Sequence, residues 1–240
     1  MAVLSAIAEF PDLIDSRFIT KERNDAGIYL VTLFINGYET PVIVDDWFPT
    51  SHDHIAYASS KDGELWVMIL EKAWAKVHGS YMRTAGGHAE HAAQHLLGTP
   101  AFTISHKDTD ADTIWPSLKK YDEANFLMFS SSNSGTNDKF VDGIVQGHAY
   151  SLIGVHEFEA HGKLQRLLKI RNPWGKRGEW VGDWSDSSKL WTPELDKLCD
   201  HTDANDGIFF IPIEDYLTHY NQTAISITES DTCPISLANY

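Results

Sequence analysis

His148, in Gly147-His148-Ala149-Tyr150, and Asn172, in Asn172-Pro173-Trp174-Gly175, are the residues whose types and spacing point to chemistry. An imidazole hydrogen-bonded to a carboxamide oxygen is held in one tautomer, and the imidazolium it becomes is stabilised. Such a pair supplies the second and third members of a Cys-His-Asn triad: a thiolate attacks a carbonyl, the histidine carries the thiol's proton, and the asparagine fixes the ring. Trp174, two residues after Asn172, is placed to cover that contact from water. The nucleophile of such a triad comes first in sequence, yet both cysteines here, Cys199 and Cys233, follow the asparagine. The expectation is a scaffold for thiol chemistry whose nucleophile is either lost or carried on sequence outside these 240 residues. Residue type and spacing alone leave a purely structural pair open, because a strand histidine is commonly just hydrogen-bonded and Asn-Pro is commonly a turn.

The elements that must position these residues are legible in outline. Residues 28–35 are rich in β-branched and aromatic side chains, Asn36-Gly37 is a tight-turn signal, and 40–44 resumes the strand pattern, which predicts a hairpin closed by Asp45-Asp46 and Pro49. Across 64–78 the apolar residues Trp66, Ile69, Leu70, Ala73, Trp74 and Val77 recur at helical spacing, with Lys72 and Lys76 on the other face. Residues 89–97 read as a short helix stopped by Gly98, and a lobe boundary is placed there. Beyond it, 126–130 reads as a strand and 130–138 as a polar loop. Residues 148–158 and 164–171 read as strands joined through His161-Gly162, with 207–211 and 224–228 as two more and a short helix over 213–220. A histidine opening one strand and an asparagine closing its hairpin partner fall on one edge of a sheet. The second half is thus mainly β.

Composition bounds the rest. The chain can bury a substantial core, as one compact domain or two modest lobes. Asp and Glu outnumber Lys and Arg by 34 to 19, a net charge of −15, which repels nucleic acid and anionic membrane and attracts cations such as calcium, though surface acids also serve solubility alone. Two cysteines argue against a disulfide framework and suit a reducing, cytoplasmic location. The apolar run 1–8 has no basic residue before it and is too short to span a bilayer, so it reads as part of a buried helix ended near Pro11.

Several motifs, in order, resemble the calpain family of cysteine peptidases. They are Pro41-Val42-Ile43-Val44-Asp45-Asp46-Trp47-Phe48-Pro49-Thr50, then Leu70-Glu71-Lys72-Ala73 within its helix and Gly79-Ser80-Tyr81, then Gly147-His148-Ala149-Tyr150, Asn172-Pro173-Trp174-Gly175 and Trp184-Ser185-Asp186. The similarity runs over about 1–228. It implies an α+β, papain-like two-lobed cysteine-protease fold. Residues 1–98 would be a truncated helical nucleophile lobe with a β-hairpin, 99–228 a mainly β lobe carrying His and Asn, and 229–240 a tail. It further implies His148 as acid/base, Asn172 as its orienting partner, Trp174 as a shielding indole, protein or peptide substrates, and a nucleophile a few residues before Met1, together with an oxyanion-hole glutamine. On this reading the chain is a calcium-dependent endopeptidase core, inactive as it stands, whether as a fragment or a pseudoprotease. The rival reading is a non-catalytic subunit that uses the fold as a docking surface in a larger assembly.

The resemblance also names calcium ligands. Glu64 matches a first-lobe ligand, and Glu179, Asp186 and Asp206 match second-lobe ones, while Ile208 stands where the family usually carries glutamate, which weakens that site. His88, His91 and His95, at helix-compatible spacing, and His52-Asp53-His54 invite a zinc reading, but no accompanying cysteine or carboxylate set supports it. Cys199 falls in a segment, 193–201, that reads as a surface helix and is not expected beside His148. A half-built first lobe would leave Val3, Leu4 and Ile7 exposed, so another chain or an additional N-terminal segment is expected to pack on residues 1–10.

Overall fold

The computed structural model describes residues 1–60 and 63–228. Cys233 and the expected tail therefore lie outside the described residues. Two short helices open the chain, α1 (Ala2–Ile7) and α2 (Pro11–Arg17). Pro11 does not merely end a helix: it takes the first position of α2, where its missing N–H costs nothing. The hairpin follows as β1 (Ile28–Ile35) and β2 (Tyr38–Asp45), in register from Ile28↔Asp45 to Ile35↔Tyr38. Its two turn residues, Asn36 and Gly37, both have positive φ (54° and 80°), the geometry that matches strand twist in a two-residue turn.

A small ribbon, β3 (Thr50–Ser51) with β4 (His54–Ile55), leads to α3 (Trp66–Val77), a 3-10 turn (Tyr81–Thr84) and α4 (Ala89–Leu97). The polar face of α3 is not idle, since Lys72 donates to Asp45 Oδ1 at 2.6 Å and Lys76 to the Ile43 carbonyl at 2.6 Å, tying α3 to β2. Gly98 caps α4 in the left-handed conformation, and a Cβ there would meet the Phe34 ring at 2.6 Å.

The remaining elements are β5 (Ala101–Ser105), α5 (Ala111–Glu123), β6 (Leu127–Ser132), a ribbon of β7 (Phe140–Val141) with β8 (Ile144–Val145), β9 (Ala149–Ala160), β10 (Lys163–Arg171), α6 (Pro193–Cys199), β11 (Ile208–Pro212), α7 (Ile213–His219) and β12 (Tyr220–Ser226). Six of these strands form one antiparallel sheet in the order β11-β10-β9-β6-β12-β5. The expected loop over 130–138 begins three residues late, because Ser130, Ser131 and Ser132 are strand residues. Their hydroxyls are bonded inside the structure, Ser130 to Tyr216 Oη at 2.8 Å and Ser132 to the His148 backbone at about 3.0 Å, so polarity there does not signal solvent.

The sheet separates two apolar clusters. On β6 and β12 alternate side chains face opposite ways, so Leu127, Phe129 and Ala224 join α1, α3, α4 and the hairpin, whereas Met128 and Ile225 join α5, α7 and the interior of β9 and β10. Val3, Leu4 and Ile7 are buried in the first cluster, α1 packing against β9, β6 and α4. The exposure expected of Val3, Leu4 and Ile7 is therefore not found, because the chain itself covers them, while Met1 stays exposed. A third cluster gathers Leu167, Trp184, Cys199 and Phe210. Cys199 is buried although α6 lies at the surface, and burial pushes its thiol up to about 11, which leaves it unreactive.

His106 joins the edge strand to the interior, its two ring nitrogens meeting the Tyr220 carbonyl at 2.7 Å and Thr223 Oγ1 at 2.8 Å. Burial holds this imidazole below its ordinary value of 6.5, the Tyr220 carbonyl opposing. The unfolded chain then binds a proton that the folded chain refuses, so stability is retained above 6.5 and lost as pH falls through the lower folded value. Urea denaturation of His106→Gln is expected to show a flatter decline than the parent between about pH 7 and pH 5; parallel curves would contradict this role.

Candidate active site

His148 immediately precedes β9 and Asn172 immediately follows β10, and the register Arg171↔Ser151 brings these two strand ends together. Their side chains meet: His148 Nε2 lies 3.0 Å from Asn172 Oδ1. The carboxamide orientation is decided on its other side, where Nδ2 donates to the carbonyls of Arg177 and Gly178. Oδ1 is thus the acceptor facing the ring, so neutral His148 carries its hydrogen on Nε2 and keeps a lone pair on Nδ1. Asn172 is buried and His148 half-buried. Burial lowers the His148 pKa from its ordinary value, the Asn172 bond opposes, and the charge at the Met1 amine lowers it further. Neutral His148 is the form favoured at pH 7.

Trp174 lies where the sequence placed it, its ring centroid 4.2 Å from that of His148 and its backbone N–H donating to Asn172 Oδ1 at 3.1 Å. Two further residues hold the histidine and carried no readable signal. Ser132 Oγ accepts from the His148 N–H at 2.9 Å, and Tyr150 meets the ring edge-on at 4.9 Å while its hydroxyl accepts from Val145 N. Gly147 is required just before His148: its φ is +63°, and a Cβ there would come within 2.4 Å of the Gly135 carbonyl oxygen.

The head of α1 is docked beside this pair. Ser151 Oγ, three residues along from His148, donates to the Ala2 carbonyl at 2.9 Å, and Arg171, next to Asn172, donates to the Ser5 carbonyl at 3.0 Å. Neither described thiol chemistry nor burial brings Cys199 here, since it packs with Trp184 and Phe210 in the third cluster.

Three of the four expected carboxylates lie together. Asp186 is nearly buried, with neither carboxylate oxygen hydrogen-bonded, and its pKa is raised to about 7 by burial and by Glu179, Asp206 and Asp203. Glu179 Oε1 accepts from Gly207 N at 2.6 Å and Asp206 Oδ1 from Ile208 N at 2.9 Å, and a cavity of about 390 Å³ opens between Glu179, Ser185, Asp186 and Asp203. A largely buried carboxylate that has no hydrogen bond, faces His201 Nε2 at 3.9 Å and stands among further acids fits a hard cation with oxygen ligands. Among the described residues no three His, Cys, Asp or Glu side chains already form a closed metal cage, so backbone oxygens and water must complete any such shell. Glu64 is exposed and accepts from Trp66 Nε1 at 3.2 Å, apart from the other three.

A mixed helix-and-sheet fold with this His-Asn pair at a strand end, an indole over it and a helix head beside it defines a papain-like protease domain. More narrowly, the chain belongs to the calpain family: the sequence model described as calpain family cysteine protease matches residues 1–227. It is 39% identical over 229 residues to the calpain-type cysteine protease DEK1 of Zea mays, covering 90% of this chain and 10% of that protein. It is 37% identical to the Arabidopsis thaliana DEK1 over 92% of this chain and 10% of that protein, and 33% identical to Homo sapiens calpain-9 over 83% of this chain and 30% of that one. The chain thus spans a minor part of each relative's length. Among the described residues no helix is long and apolar enough to cross a membrane.

Replacing Asn172 by Ala removes the donor to two part-buried carbonyls, those of Arg177 and Gly178, and frees the His148 ring. The expected loss is about 2 kcal/mol in chemical denaturation, with a His148 imidazole that no longer shows a single slow-exchanging Nε2 proton by NMR. An unshifted denaturation midpoint and an intact Nε2 resonance would refute the arrangement.

Proposed function

We propose that this domain is the core of a calpain-type cysteine endopeptidase acting on protein substrates, that among the described residues no nucleophile stands in reach of His148, and that the chain alone does not cleave peptides. The observation that carries the reading is the 3.0 Å contact between His148 Nε2 and Asn172 Oδ1, which leaves Nδ1 as the proton-accepting nitrogen. A thiol offered from the head of α1 gives its proton to Nδ1. The thiolate attacks the scissile carbonyl, and the imidazolium, steadied by Asn172, returns the proton to the leaving amine as the acyl-enzyme forms. Water then enters by the reverse proton route to release the acid. Trp174 limits solvent at the His-Asn contact, while Ser132 and Tyr150 keep the ring from turning.

Asp186, Glu179 and Asp206 are the groups that would hold calcium, whose charge relieves the repulsion now felt by Asp186. Glu64 is at most a lone donor of a separate site. A cytoplasmic setting accords with an unpaired, buried Cys199. The second reading, a non-catalytic docking subunit, is favoured by one observation: Ile208, whose N–H is taken up by Asp206, stands where the family usually offers a glutamate.

The transcript upstream of Met1 separates the two, an in-frame Gly-x-Cys segment supporting the enzyme and unrelated sequence the docking subunit. In a calcium-dependent peptide-cleavage assay the 240-residue chain is expected to be inactive, with Cys199→Ala and Cys233→Ala indistinguishable from it. A chain extended through an upstream cysteine segment should turn over substrate, lose it on His148→Ala, and lose roughly 10- to 100-fold on Asn172→Ala. Turnover by the unextended chain that either cysteine variant removes would sink the proposal.

A further inference from the structure

The histidines left aside in the sequence are not scattered in space. His78, the residue that caps α3, and His95, on the last turn of α4, bring His78 Nε2 and His95 Nδ1 to 3.4 Å of each other. Their rings lie 5.4 Å apart and are inclined by only 22°. The indole of Trp74, one turn before His78, backs both, with centroids 4.2 Å and 5.2 Å away. His91 stands one turn before His95, hence on the same face of α4, and is exposed. His88, at the helix entrance, is turned to Glu90 at 3.5 Å and so is already occupied.

We propose that His78 and His95, joined by His91, form a binding site for a divalent transition ion, zinc foremost, at the junction of α3 and α4. Two nitrogens bound to one tetrahedral zinc, each at about 2.1 Å, are held about 3.4 Å apart, which is the separation already present. The same distance is long for a hydrogen bond, so little is lost when the ion replaces it. In the metal-free protein one of the two facing nitrogens carries a hydrogen. On binding, that ring changes tautomer, its proton moves to the outward nitrogen, and both lone pairs face the ion with no net proton released at neutral pH.

Three features make this pair more than a chance contact. Trp74 fixes the planes of both rings, so ordering them costs little entropy on binding. Burial, then the charges of His78 and His91, lowers the His95 pKa, which keeps its lone pair available. His91, whose ring now stands edge-on to that of His88 at 5.4 Å, would leave that contact and turn toward His95 to supply a third nitrogen, since His-x-x-x-His on a helix places two imidazoles on one face. Among the described residues no three such groups are already in position, so the site is a preformed two-nitrogen bite that the third ligand closes. Imidazole donors select zinc, copper or nickel and not calcium, which separates this site chemically from the carboxylate cluster around Asp186. Because α3 and α4 both pack on β1, an ion bridging them ties together the helical part of the first cluster.

The test uses the full chain without an affinity tag, stripped with chelator and titrated with zinc chloride by calorimetry. One ion should bind with micromolar affinity and raise the melting temperature. His78→Gln and His95→Gln should each weaken binding by about tenfold or more, His91→Gln by less, and His88→Gln and His52→Gln not at all. Copper, a quencher, should reduce tryptophan emission in the parent chain by an amount that Trp74→Phe removes. Zinc affinity unchanged in both His78→Gln and His95→Gln, or copper quenching that is identical in Trp74→Phe, would overturn the site.

Discussion

The carboxamide of Asn172 is the joint on which this end of the molecule depends. Its N–H groups are taken by the carbonyls of Arg177 and Gly178, so its oxygen faces the other way, toward His148 and the Trp174 N–H. To turn the amide over would set its oxygen against those two carbonyls and lose both bonds, at a cost of about 1 kcal/mol each. The loop from 172 to 178 is wrapped around its own first side chain, with Gly175 and Gly178 at φ +73° and +78°. Gly207 closes it from below, where a Cβ would come within 2.5 Å of the Gly175 carbonyl oxygen and 2.8 Å of that of Asn172. Ring tautomer, loop shape and the start of β11 are therefore one arrangement.

Much of this was legible because the decisive signals are local. Asn36-Gly37 fixes the hairpin, the apolar stripe of α3 is unbroken, Gly98 stops α4, and His148 and Asn172 sit at the ends of two strands whose turn is marked by His161-Gly162. What escaped has its reason too. The helix α5 carries Pro116 in its interior, which ordinarily speaks against a helix, yet Asp110 caps it through Thr113 N, and Ile114, Trp115 and Leu118 bury enough surface to hold it against the sheet. The serines of β6 look like loop residues because their polarity is read as exposure, whereas each hydroxyl is bonded internally. Ser132 as a support for His148 depends on a pairing of β6 with β9 that no spacing announces.

The acidic cluster shows what a resemblance adds and where it stops. Glu179 and Asp186 lie in the irregular stretch between β10 and α6 and Asp206 in the one between α6 and β11, so neither periodicity nor spacing joins the three, and only the family resemblance named them together. Their mutual repulsion is visible in Asp186, which is held near neutrality by burial and by its neighbours. The resemblance assigned Glu64 to a different, first-lobe site, and in the structure it is solvent-exposed beside Trp66. Resemblance transfers positions one at a time, whereas a cation site is a property of several oxygens at once.

The position of the His148-Asn172 pair at the seam of two clusters has a mechanical consequence. The first cluster, built on α1, α3, α4 and the hairpin, fixes the head of α1, while the second fixes β9 and β10 and through them His148 and Asn172. The strands β6 and β9 stand between them, and the bond from Ser151 to the Ala2 carbonyl crosses that boundary in a fully buried setting. The distance from the helix head to the imidazole is thus set by packing on both faces of one sheet, with no part left to the reacting groups. On the proposed reading, a sulfur presented there would find His148 already in its tautomer, because ring and helix head are each held by packing that does not involve a reacting atom.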